Sequence, residues 1–233
     1  MNVILRRVFA ASLLLLPMSL LAQTPAPAPA PRLNVDYTLL ATPQPVYSPV
    51  KGKIEVAEVF SYACPHCADV SADIAAWSKT KSPDINFVYV HAVGMESWER
   101  FARGFYAAEI KNIQARSHED IFKAVFVQQT LSHNASLEEI AKFYSRYGVP
   151  APQMLAIMQS PSVNTRLNRS KQFSIRTTAN STPTIIVAGK YKVMATREGG
   201  KAMTRTVDFL VAKERAAIAA RTPAAPATPP VKK

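Results

Sequence analysis

The feature that most constrains this chain is where its hydrophobic period changes. KIEVAEVFSY, which starts at Lys53, is rich in β-branched and aromatic residues and predicts a strand over residues 53–60. Val70, Ile74 and Trp77 then recur at i, i+4 and i+7, the spacing of one buried helical face. INFVYVHAV, residues 85–93, predicts a second strand, so the front of the chain reads as a βαβ unit. From Ser97 to about Ala179 the period is helical. Trp98, Phe101, Phe105 and Ala108 form one stripe, and Leu137, Ile140, Ala141 and Tyr144 form another. Ser117–Asp120 and Ser136–Glu139 both have the capping-box form, and Gly148 with Pro150 marks a helix end. Period two returns in TIIVAGKYKVMA, two short strands around an Ala188–Gly189 turn, and a last helix is expected from about Gly200 to Ala220. A helical stretch between two parts of one sheet pattern predicts an α/β domain carrying an all-helical insertion.

The ends of the chain bear on compartment. Arg6 and Arg7 precede the apolar run VFAASLLLLPMSLLA, which has the form of a secretory leader over residues 1–22. The run is shorter than the ~20 apolar residues needed to cross a bilayer. Cleavage after Ala22 would deliver an exported protein to a space that permits disulfides. Pro/Ala-rich segments follow at 23–33 and close the chain at 222–233; both predict extended tethers without a core. The formal charge is +12, with two of those charges in the leader. The basic residues are scattered except in TRLNRSKQFSIR, where Arg166, Arg169, Lys171 and Arg176 have no acidic company. An exported protein rarely meets nucleic acid, so a solvated helix face is the expected reading of that cluster, with no nucleic-acid partner.

The chain has two cysteines, Cys64 and Cys67, in EVFSYACPHCADV. They close too short a loop to staple distant parts of a fold. A haem attachment would need a histidine at Ala68. A structural zinc site would need His91, His118 or His133 to converge on the pair, and their spacing gives no sign of it. A redox dithiol remains. Cys64 falls where the strand turns into a helix, with Pro65 suited to the first helical position. There the unsatisfied N–H groups favour a thiolate, and His66 can add a donor or a positive charge. A stabilised thiolate makes the disulfide easy to reduce, and hence a good oxidant. Glu58 is the other anomaly. It shares a strand face with Ile54, Val56 and Phe60, where a carboxylate should have a raised pKa. It could exchange a proton with Cys67, or merely solvate a wet strand end.

EVFSYACPHC, the helical insertion and STPTIIVAGKY together resemble the DsbA family of periplasmic thiol–disulfide oxidoreductases, from about Asn34 to Arg221. The resemblance implies a thioredoxin-like fold with an inserted helical domain. Residues 34–94 and 180–221 would form the thioredoxin-like part and 95–179 the insertion. It implies that Cys64 is the nucleophile exposed to substrate and Cys67 the buried resolving thiol. Glu58 would be the buried acid, and Pro183 a cis-proline facing the cysteines. The backbone of Thr182 would pair with an extended substrate segment. The Thr182 side chain sits at a position that varies in the family and tunes redox behaviour. The implied activity is donation of the Cys64–Cys67 disulfide to reduced, unfolded exported proteins, with reoxidation by a DsbB-like quinone-linked membrane partner. A monomer is implied, and no metal or dissociable cofactor. The rivals are a reductase or isomerase on the same fold, and a peptide-binding chaperone with incidental redox activity. The Pro/Ala-rich ends are departures from the family pattern.

Overall fold

The computed structural model describes residues 29–221. The expected leader, the start of the first Pro/Ala-rich segment and the 222–233 tail lie outside the described residues. Five strands form one sheet in the order β1-β5-β4-β2-β3. They are β1 (Tyr37–Leu39), β2 (Ile54–Phe60), β3 (Ile85–His91), β4 (Thr184–Val187) and β5 (Tyr191–Met194). β2 pairs parallel with β3 and antiparallel with β4, with Glu58 opposite Tyr89 on one side and Ile185 on the other. The connection from β2 to β3 is α1 (Pro65–Thr80), and α7 (Gly199–Arg221) follows β5. Between β3 and β4 lie α2 (Glu96–Ile110), α3 (Gln114–Phe122), α4 (Leu137–Tyr144), α5 (Ala151–Met158) and α6 (Pro161–Arg176). This is a thioredoxin-like α/β core with an inserted all-helical unit.

β2 is central and buried along its whole length, so its two faces feed different cores. Ile54 and Val56 pack with Val70 and Ile74 of α1 and Val207 and Leu210 of α7. Ala57 and Val59 pack with Tyr47 and Phe173 on the opposite side. Phe60 and Tyr62, just beyond, belong instead to the core of the helical unit, with Phe101, Phe105, Ile121 and Ile140. The chain segment that leads into the cysteines is thus anchored in both units.

Several expectations from the sequence are met closely and a few are not. Ser136 accepts from the Glu139 N–H while Glu139 reaches back to the Ser136 N–H, a complete capping box on α4. Gly148 takes the left-handed conformation at φ 85° after the short 3-10 turn that ends α4. Ala188 and Gly189 both have positive φ, at 52° and 64°, forming the tight turn between β4 and β5. Ser117 does not cap. It lies inside α3, fully buried, and its hydroxyl donates to the Ile113 carbonyl one turn back. β1 was not anticipated: three residues on a sheet edge are too few to establish a period. The basic cluster on α6 is more than a solvated face. Arg169 lies over the Tyr47 ring and donates to the Tyr47 carbonyl, and Arg176 donates to the Pro45 carbonyl. Arg166 pairs with Glu109 of α2. Two of the four basic side chains, Arg169 and Arg176, therefore tie the insertion to the segment before β2, and Arg166 braces α6 against α2 within it.

Candidate active site

The two cysteines sit at the N-terminus of α1. Cys64 is its N-cap, with φ −99° and ψ 117°, and Pro65 occupies the first helical position, where a missing N–H leaves nothing unsatisfied. The Cys64 carbonyl accepts from the N–H groups of Cys67 and Ala68 at 3.1 and 3.2 Å. Both thiols are free. Cys64 keeps 6% of its surface exposed and Cys67 none, so what access remains is on the first cysteine.

The electrostatics of the pair are asymmetric. The Cys64 thiol is pulled down to about 5, first by a hydrogen bond from the Cys67 thiol, against the opposing effect of burial. The Thr182 side chain and the backbone N–H groups of Cys67 and His66 add to the lowering. Cys67 is pushed well above its ordinary value. Burial is the main cause, and the charges of Cys64 and Glu58 add to it. An ionised first thiol beside a protonated second one is the arrangement that a nucleophile and its resolving partner require.

The Thr182–Pro183 peptide bond is cis, and the Cys64 thiol donates to the Thr182 carbonyl at 3.5 Å. The Thr182 hydroxyl oxygen is buried with no hydrogen-bond partner, which leaves its proton free to serve an ionised Cys64 sulfur, in line with its lowering of that thiol. Beside it runs a groove of about 120 Å³ lined by Val93, Trp98, Ala179 and Ser181. His66 stands elsewhere. Its ring is largely exposed, 3.6 Å from Asp69 one turn on. The backbone N–H of His66 is among the groups that lower the Cys64 thiol. Pro65 is exposed at the helix tip.

Glu58 is 3% exposed, and its pKa rises to about 8 through desolvation, with the charge of Glu119 as the second cause. A carboxylic acid with a pKa near neutrality can hold or release a proton there. Burial at this end of β2 does not fit a wet strand end.

Other neighbours of the cysteines carried no local signal in the sequence. Tyr62, two residues before Cys64, is fully buried, and its hydroxyl meets Nδ1 of His118 at 2.9 Å. The Tyr62 N–H donates to Nε2 of His91 at 3.2 Å. Both imidazoles are enclosed by aromatic rings, and burial lowers the pKa of each to about 3. They are neutral wall groups packed around Tyr62. Among the described residues no group of three or more His, Cys, Asp or Glu side chains could hold a metal ion. Glu119 of α3 joins the site only because the insertion folds back over α1, where it accepts from the Ser71 hydroxyl at 3.4 Å.

Comparison with known proteins adds to this geometry. The profile of the DSBA-like thioredoxin domain matches residues 68–207. The chain is 31% identical over 183 residues to the thiol:disulfide interchange protein DsbA of Pseudomonas aeruginosa, covering 78% of this chain and 85% of that protein. It is also 31% identical over 208 residues to the protein of the same name from Burkholderia cepacia, covering 86% and 94%. The crystal structure of oxidoreductase DsbA from Xylella fastidiosa superposes with a TM-score of 0.73 at 34% identity, covering 78% of this chain and 96% of that one.

Proposed function

The chain belongs to the DsbA family of periplasmic, thioredoxin-like thiol–disulfide oxidoreductases, and from that premise we propose that it donates a Cys64–Cys67 disulfide to reduced, newly exported proteins. The observation that carries this reading is the asymmetry of the dithiol, with Cys64 held ionised and Cys67 held protonated. Whatever stabilises the Cys64 thiolate stabilises the reduced enzyme, and so makes its disulfide a stronger oxidant.

A client thiolate attacks Cys64 Sγ. The S–S bond breaks with its electron pair on Cys67 Sγ, and a mixed disulfide joins client and enzyme. Glu58, buried behind Cys67, supplies the proton that the leaving thiolate takes up. A second client thiolate then attacks the client sulfur of the mixed disulfide, and Cys64 leaves as a stable thiolate. The client is oxidised by two electrons and the enzyme is reduced by two. Thr182 and Pro183 serve the substrate: the backbone before the proline pairs with an extended client segment, and the adjoining groove receives one of its side chains. Pro65 keeps the first turn of α1 in register, and His66 contributes its N–H. Reoxidation falls to a DsbB-like quinone-linked membrane partner. On this reading residues 34–94 and 180–221 make the redox domain, and 95–179 the insertion.

The deciding experiment equilibrates the protein with glutathione buffers and traps the reduced and oxidised fractions. Reduction by traces of glutathione is expected. Resistance until glutathione is in large excess would overturn the oxidase reading in favour of a reductase. In parallel, Cys64→Ser is expected to abolish disulfide formation in a reduced, unfolded client.

A further inference from the structure

Glu119 has no part in the reaction just described, yet its setting is unusual. It lies on α3, in the inserted unit, and reaches the α1 helix one turn beyond Cys67. There its Oε2 accepts from the Ser71 hydroxyl at 3.4 Å. Its Oε1 is buried with no hydrogen-bond partner. Deeper in the same region, Glu58 is almost wholly buried on β2. Glu58 pairs in register with Tyr89, whose ring centroid lies 4.1 Å from that of His118, the residue before Glu119. Two carboxyl groups therefore approach one low-dielectric region, one from each structural unit. Two such groups cannot both ionise freely, and the deeper one keeps a proton.

We propose that Glu119 is a positioning residue for the redox step: from the insertion, its carboxylate charge holds a proton on Glu58 until Cys67 leaves the disulfide. This rests on Glu58 being the proton partner of Cys67. When the S–S bond breaks, its electron pair goes to Cys67 Sγ, and that sulfur takes the Glu58 proton. Glu58 is then a second carboxylate next to Glu119, and their repulsion draws a proton back from water. Burial and the Glu119 charge both act upward on Glu58, in accord with this role. The surroundings of Glu119 are mixed. Its own pKa is raised, chiefly by burial and in small part by Asp120, while the Ser71 hydroxyl, Lys123 beyond α3 and Lys79 of α1 favour its ionised form. Tyr89 of β3 feels both carboxylates and is kept neutral by burial and their charges. Glu119 is half-buried, which lets it stay charged where Glu58 does not.

The test follows the rate at which dithiothreitol opens the Cys64–Cys67 disulfide between pH 5 and pH 9, corrected for the ionisation of dithiothreitol itself. The wild-type profile is expected to carry an inflection that Glu58→Gln removes. In Glu119→Gln that inflection should move to lower pH by about one unit, and in Glu119→Asp, which keeps a carboxylate, it should return part of the way. Thermal midpoints and far-ultraviolet circular dichroism establish that each variant is folded; a merely structural role would change those and leave the inflection in place. If Glu58→Gln removes the inflection but Glu119→Gln does not shift it, the role of Glu119 is refuted and that of Glu58 stands. If Glu58→Gln leaves the profile unaltered, the Glu58 reading fails, and the Glu119 role with it.

Discussion

Between about pH 5 and pH 9 the unfolded chain keeps a proton on Cys64 that the folded, reduced protein has given up. The stability of the reduced form therefore gains from Cys64 as pH rises through that window, and loses the gain as pH falls toward 5. Glu58 acts in the other direction. Its folded-state pKa near 8 lies above its ordinary 4.5, so the folded state holds a proton the unfolded chain has released, and stability declines as pH rises across that range. The oxidised protein has no ionisable thiols, and of these two contributions it retains that of Glu58. Thermal midpoints of the two redox forms should thus diverge from pH 5 upward, with the reduced form gaining on the oxidised. Glu58→Gln should raise stability on the order of 2–3 kcal/mol at pH 7, as read by denaturant unfolding, while slowing disulfide opening. A second residue effect is optical. Thr182→Val removes a hydroxyl donor from the Cys64 thiolate, and the absorbance titration of that thiolate near 240 nm should move up by about one pH unit.

The elements themselves were largely legible. β2, α1 and the Ser136-capped α4 follow from alternation, helical spacing and a local cap, all properties of neighbours in sequence. The strand–helix junction placed Cys64 at a helix start because Pro65 directly follows it. What remained hidden depends on partners remote in sequence. Glu119 is an ordinary helix residue until α3 lies against Ser71, Ser117 mimics a cap but sits within a helix, and the arginines of α6 look unpaired until Tyr47 and Pro45 meet them. The packing of α2 on α4 is similarly non-local. A Cβ on Gly104 would lie 2.7 Å from Cγ2 of Ile140 and 3.1 Å from the Tyr144 ring. Gly104→Ala should therefore cost about 1–3 kcal/mol by overpacking. Denaturant titration checks this, and glutathione equilibration of the same variant should leave the Cys64–Cys67 potential as it was.

At the scale of the whole molecule, one aromatic core runs from the sheet into the insertion. Phe60 and Tyr62 lead directly to Cys64 yet pack among Phe101, Phe105 and Phe122 of the helical unit. Neither unit can lose its structure without stripping that core, so heat should unfold them together. Circular dichroism and tryptophan fluorescence are expected to give coincident transitions. Within this core sit His91 and His118, neutral in the fold down to about pH 3. Once released, each imidazole takes up a proton below about pH 6.5. Below that pH the fold loses its margin against unfolding at up to ~1.4 kcal/mol per histidine for each further unit of acid. The acid tolerance of the fold would then depend in part on two side chains enclosed in its own aromatic core.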